Sequence, residues 1–402
     1  MSEAGHVAWM LTASALVLLM TPGLAFFYGG LVRGKNVVST MMYSYVSMAV
    51  VSVIWVLWGY SLAFGAGGDF IGNLDFIGFK DVSASAEDGG ISPMLFAIFQ
   101  MMFAIITPAL ITGAFVERFK FTTYLVFLVA WVTLVYVPIT HWVWASDGWI
   151  AGLGALDFAG GIVVHASAGI AAIVVARMIG ARRNIERGVE PHNVPYVLLG
   201  TGLLWFGWFG FNAGSGLLAD STAVSAFLVT NTSAAVAGLV WMVLDYQSTG
   251  RVSAVGFATG VIAGLASITP AAGFVGPMGA FAIGIIGSIA AYTTVKLMAK
   301  TSIDDALEVF AVHGVGGLWG TIATGIFATG GAGLIDGESE LLWANFRAAV
   351  AVVIYSGIAS FIILKILDVI PGLGLRPSEE DEDRGLDIAL HGERGYVADG
   401  AD

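Results

Sequence analysis

Long apolar runs alternate with short polar connections along the whole chain. Apolar segments fall near residues 7–31, 37–64, 93–115, 121–138, 160–180, 194–217, 222–245, 252–269, 274–298, 308–329 and 342–370. A helix of about 20 such residues spans the ~30 Å hydrocarbon core of a bilayer, so the pattern predicts eleven transmembrane helices. The first has no basic n-region and no small-residue cleavage site, and it runs straight into FFYGGLVRGKN, so it reads as a retained span rather than a signal peptide. Residues 1–370 are expected to form the membrane domain and residues 371–402 a polar tail.

Composition fixes the class. With 57% hydrophobic and 11% charged residues and a mean hydropathy of +0.85, the chain reads as an all-α polytopic protein embedded in a lipid bilayer. The alternation of a transmembrane β-barrel is absent. Glycine supplies 54 of the 402 residues and is spread through the apolar runs, the small-residue usage that lets membrane helices approach closely. Cysteine is absent, which excludes disulfides, thiolate metal sites and cysteine nucleophiles. A net charge of −12 offers no electrostatic footprint for nucleic acid.

Charge also orients the chain. Arg33, Lys35, Arg118, Lys120, Arg177, Arg182, Arg183, Arg187, Arg251, Lys296 and Lys300 all fall on one side of the predicted spans, against Lys80 and Arg347 on the other. The basic side is cytoplasmic by the positive-inside rule. Eleven spans then put the N-terminus outside and the C-terminus in the cytoplasm.

An internal repeat emerges at two places. Asp157 to His165 reads DFAGGIVVH and Asp305 to His313 reads DALEVFAVH, in each case an Asp, seven residues and a His preceded by Val. Ile106-Thr107-Pro108-Ala109 in the third segment is echoed by Ile268-Thr269-Pro270-Ala271 at the end of the eighth. Both pairs hold the same rank in two sets of five helices, 1–5 and 6–10. Because five is odd, the sets enter the membrane from opposite faces, an inverted repeat of the kind that places a transport site near the midplane. An ionisable side chain in hydrocarbon is costly, at least ~2.5–3.5 kcal/mol for charged groups, so two histidines in matching contexts read as functional and are expected to meet. Backbone-bonded core histidines are the bland reading. A metal site is weak without a third ligand, so no metal and no cofactor are expected, and the chain is not read as an enzyme.

The residues resemble a known family. FFYGGLVRGKN (26–36), GAFVERFKF (113–121), HWVW (141–144), GALDFAGGIVVHASAG (154–169), PHNVPYVLLGTGLLWFGWFGFNAGS (191–215), TPAAGFVG (269–276), VFAVHGVGGLWG (309–320) and GLRPSEEDEDRGLDIALHGERGY (374–396) resemble the Amt branch of the Amt/MEP/Rh ammonium transporters. The resemblance implies a homotrimer in the cytoplasmic membrane, each protomer with its own pore for ammonium or ammonia. By position it makes Phe103, Trp144 and Ser215 the outer ammonium site, Phe103 and Phe211 the gate below it, and His165 and His313 the lining of the conduit. Trp142 and Trp149 lie near Trp144, and aromatics at helix ends also serve as interface anchors. Asp157 has two readings, an N-cap for the fifth helix and electrostatic support for a cation, as the resemblance implies.

Cost shapes the expected mechanism. A desolvated ammonium ion is far less favourable in an apolar bore than neutral ammonia. The ion is therefore expected to lose its proton near the aromatic gate and to cross as ammonia past the histidines, which can relay the proton because imidazole titrates near neutrality. The alternatives are an Rh-like passive ammonia channel and an ammonium sensor working through a partner. As composition, residues 377–396 look like a solvated acidic end, but the resemblance implies an ordered segment on the cytoplasmic face, where PII-type signalling proteins block the pores.

Overall fold

The computed structural model describes residues 3–86 and 90–396, with only the backbone of Arg187. Among the described residues the chain is helical and turn structure without a β-strand. The long helices are α1 (Glu3–Leu31), α2 (Gly34–Phe64), α3 (Pro93–Ala114), α4 (Phe121–Gly152), α5 (Gly161–Ile179), α6 (Val194–Gly214), α7 (Ser221–Thr249), α8 (Ala254–Ile268), α9 (Pro277–Met298), α10 (Phe310–Phe327) and α11 (Glu340–Val369). Ten of them, all but α8, are long and apolar enough to cross a membrane. Starts follow local chemistry. Ser92 caps α3 by accepting from the Leu95 N–H, with Pro93 next in line, and Asp220 caps α7 by accepting from Thr222 and Ala223.

One segment differs from the hydrophobic pattern. The fourth run was expected to end near residue 138, yet helix continues past Pro138 to Trp144 before the chain breaks at 145–148. A wide π-turn at Val132–Tyr136 immediately precedes it and absorbs the missing N–H and the steric demand of the proline ring. The eighth run, read over 252–269, is α8 with 15 residues, about 22 Å of rise, and it stops where Pro270 follows. Its continuation at 269–276 is irregular but enclosed. The Pro270 carbonyl accepts from Phe158 N–H and the Phe274 carbonyl from Thr329 N–H, which satisfies backbone that lipid could not.

The helices pack α1 on α6, α7 on α8 and α9, and α5 on α11, with the first turns of α5 and α10 facing each other's bodies. The tail lies against one end of this bundle. Its helix α12 (Glu379–Arg384) is capped by Ser378 and carries four acidic residues in its first turn, where the helix dipole favours them. Arg376 forks onto Glu382 at 2.8 and 2.6 Å, Arg183 onto Asp383 at 3.0 and 2.8 Å, and Lys35 Nζ donates to the carbonyls of Glu382 and Asp383. Asp387 accepts from Ser39 N–H, and Asn36 accepts from Leu386 N–H. The acidic composition is thus spent on the basic loops; residues 397–402 lie outside the described residues.

Candidate functional site

The site is built where α5 and α10 cross. Both helices open with a π-turn, Gly161–Ala166 and Phe310–Val315, and each turn contains its histidine. A π-turn widens the helix and re-aims its side chains. Four residues beyond each histidine stands a glycine, Gly169 and Gly317. A Cβ on Gly169 would fall on the backbone of Gly314, and one on Gly317 would lie 2.5 Å from the Gly161 carbonyl and 2.8 Å from His165 Cβ. Each helix can therefore lie directly on the other's histidine turn.

That approach sets the two rings together. His165 and His313 meet edge to edge, with centroids 5.2 Å apart and an 18° interplanar angle, and their Nδ1 atoms are 3.2 Å apart. Two nitrogens at that distance share one proton, since one must donate and the other accept. His165 Nε2 is buried with no hydrogen-bond partner. Trp208 stacks on His165 at 5.3 Å and is itself fixed by Nε1–H donation to Thr269 Oγ1 at 2.9 Å.

The other expected residues lie around this pair. Phe211 is 5.9 Å from the His165 ring, and Phe103 and Phe211 lie 4.2 Å apart at 34°. Both are fully buried. Trp144 meets Phe103 edge-on at 5.9 Å and donates to the Asp157 carbonyl at 2.8 Å. Trp142 and Trp149 instead pack on each other and on Phe70. Ser215 donates its hydroxyl proton to the Phe211 carbonyl at 2.8 Å, which leaves its lone pairs to accept. Asp157 does not face an open space. Its Oδ1 accepts from Gly160 and Gly161 and its Oδ2 from Ile162 and Val163, at 2.6–3.1 Å.

Below the histidines a cavity of about 290 Å³ runs past Tyr28, Leu110, Trp208 and Val312 to Arg182 and Glu308. Its wall is mostly apolar, which suits a neutral solute better than an ion. Three contributors went unread in the sequence. Trp208 stands inside the quoted WFGWFGFN block, three residues before Phe211, where a helix sets both on one face. The shared His-x-x-x-Gly spacing was visible in HASAG and HGVGG. Glu308, which lines the cavity, carried no signal in the sequence.

This arrangement sits within a recognisable lineage. The model of the Ammonium Transporter Family matches residues 8–396. The chain belongs to the ammonium transporter family. An ammonium transporter of Bacillus subtilis is 47% identical, the match covering 98% of this chain and 99% of the relative. Ammonium transporter Amt1 of Archaeoglobus fulgidus is 45% identical over 98% and 99%. The crystal structure of Saccharomyces cerevisiae Mep2 superposes with a TM-score of 0.89 at 37% identity, covering 94% of this chain and 90% of Mep2. Membership and the apolar helices together make this a multi-pass membrane protein.

Proposed function

We propose that the protein carries ammonium into the cell across the cytoplasmic membrane through a pore in each protomer of a homotrimer. Eleven spans, with α8 as the short eighth and α1–α5 and α6–α10 as an inverted repeat, put the N-terminus outside and the tail in the cytoplasm. The reciprocal glycine contacts around the histidine pair support that pseudo-symmetry. Relatives named ammonium transporters support the substrate.

The cation is recruited at Phe103, Trp144 and Ser215, where aromatic faces attract it by ~0.5–2 kcal/mol and the Ser215 hydroxyl accepts. Its proton leaves near the stacked Phe103 and Phe211, and ammonia passes His165 and His313 into the apolar cavity. The proton follows along the imidazoles, so net transport is electrogenic. Asp157 stiffens the entrance by accepting from four backbone N–H groups and adds negative charge below the outer site. The docked tail offers a cytoplasmic surface for a PII-type regulator.

One observation carries the reading: two imidazoles within 3.2 Å, between an aromatic plug and an apolar cavity. Current recorded from proteoliposomes on a solid-supported membrane tests it. An ammonium jump should give a sustained charge displacement, and ammonia flux without charge would replace the transporter with a passive channel.

A further inference from the structure

The two histidine-bearing segments share a left-handed backbone position that they fill with different residues. Five residues before each histidine the chain turns left-handed, at Gly160 with φ 110° and at Glu308 with φ 62°. Glycine adopts that conformation without penalty, whereas a residue with a Cβ is strained there and persists where something else holds it. A long acidic side chain occupies the strained position only on the α10 side.

Its surroundings suit a cation. Glu308 lines the cavity that reaches His165 and His313 and also a second pocket, which it shares with Asp305 and the loop after α9. It stands where the two meet. Its carboxylate has neither a hydrogen bond nor an ion pair to the described residues. Asp305 is 7% exposed. Its Oδ2 accepts from Phe310 N–H at 2.7 Å, while its Oδ1 is buried with no partner. The neighbouring guanidinium groups are engaged elsewhere. Arg182 forks onto Asp304 at 2.9 Å through both oxygens, and Arg118 donates to the carbonyls of Ala114, Val116, Gly180 and Asp304. Among the described residues, Glu308 thus lies at the junction of the two pockets, with Asp305 lining the second, and neither carboxyl has a dedicated counter-ion.

We propose that Glu308, backed by Asp305, forms a cation site at the inner mouth, where ammonia regains its proton and the resulting ammonium ion is held before release. This rests on the conduction reading above. In the step, the carboxyl O–H bond of Glu308 breaks and an N–H bond forms, leaving ammonium beside a carboxylate. The carboxylate then takes its next proton from the histidine relay, so no electron moves and no further reactant enters. Glu308 precedes α10. Burial pushes its carboxyl up to about 8, with the Asp305 charge adding and Arg182 opposing, so the group can carry a proton at neutral pH and give it to a base such as ammonia.

Three variants of the full chain in proteoliposomes test the site, with ammonium-driven current measured from each face. Glu308→Gln keeps the shape and removes the acid, Glu308→Asp keeps the acid, and Glu308→Gly removes both the acid and the backbone strain. The Gln and Gly variants should lose current about tenfold. Half-saturating ammonium should rise at the inner face and stay unchanged at the outer face. The Asp variant should retain most of the current, and the Gly variant should melt above the wild type. Wild-type current in the Gln or Gly variant, or equal shifts in half-saturation at both faces, would overturn the site. Absence of ammonium current in the unmodified protein would instead overturn the conduction reading.

Discussion

The Asp157–His165 and Asp305–His313 segments share a spacing and a π-turn but treat their aspartates in opposite ways. Asp157 accepts from four backbone N–H groups and is followed by Gly160, so its charge is consumed in building the first turn of α5. Asp305 accepts from the Phe310 N–H, keeps an unpartnered oxygen, and is followed by a strained Glu308. One half has its carboxylate satisfied; the other keeps acidic capacity, with Glu308 lining the cavity that reaches the histidines. Repeated sequence therefore dictates where the histidines go without dictating what each entrance does, and the unequal aspartates fit a conduit that takes ammonium in at one end and releases it at the other.

Removing the aspartates should expose the difference most strongly. Asp157→Ala orphans four buried donors, so it should destabilise the protein by roughly 3–5 kcal/mol. Asp305→Ala should cost about 1 kcal/mol, the worth of a single cap. Melting temperatures in detergent would rank the two, and equal losses would erase the contrast. Next in size is the outer gate. Phe103→Ala should raise the outer half-saturating ammonium concentration about three- to thirtyfold by losing cation–π attraction. Phe64→Ala, whose ring packs on Trp55, Tyr60 and Phe96, should lower the melting temperature and leave that concentration alone. Equal effects on ammonium binding would make Phe103 ordinary packing.

Much of this was legible in the sequence, for identifiable reasons. Ten apolar runs match helices because hydrocarbon imposes length and internal hydrogen bonding together, and the Asp-x7-His spacing survives as two helix starts with adjacent rings. The fourth run was read to end near residue 138, whereas helix continues to Trp144 behind the π-turn at Val132–Tyr136. The eighth run, read over 252–269, is met by a helix over Ala254–Ile268. Glu308 drew no reading of its own, at the edge of the apolar run 308–329. Its left-handed φ and its missing partners exist only in three dimensions. The tail's composition suggested a solvated end, whereas complementary charge on the Lys35 and Arg183 loops holds it in place.

Smaller effects belong to the tail, which lies at the same end as Asp305 and Glu308. Deleting residues 376–402 should lower ammonium flux severalfold while size-exclusion chromatography still reports the trimer; unchanged flux would reduce the tail to a passive extension. Within it, Arg376→Ala should loosen docking more than Arg183→Ala. Arg376 pairs with a buried Glu382, whereas Arg183 pairs with half-exposed Asp383 and exposed Glu379, and solvent-exposed pairs contribute little. Protease cleavage of the tail would read this order.

The histidine pair bears the heaviest demand. His165 and His313 share one proton across 3.2 Å, and two imidazolium charges at that distance would repel strongly, so the pair should titrate as a unit. The decisive measurement is ammonium-driven current on a solid-supported membrane for the His165→Ala, His313→Ala double variant, run beside ammonia flux and potassium competition. Ammonium-driven current should vanish, leaving flux of neutral ammonia or of poorly selected cations including potassium. Wild-type current with wild-type selectivity in the double variant would contradict the relay and leave the histidines as filling between Trp208 and the cavity.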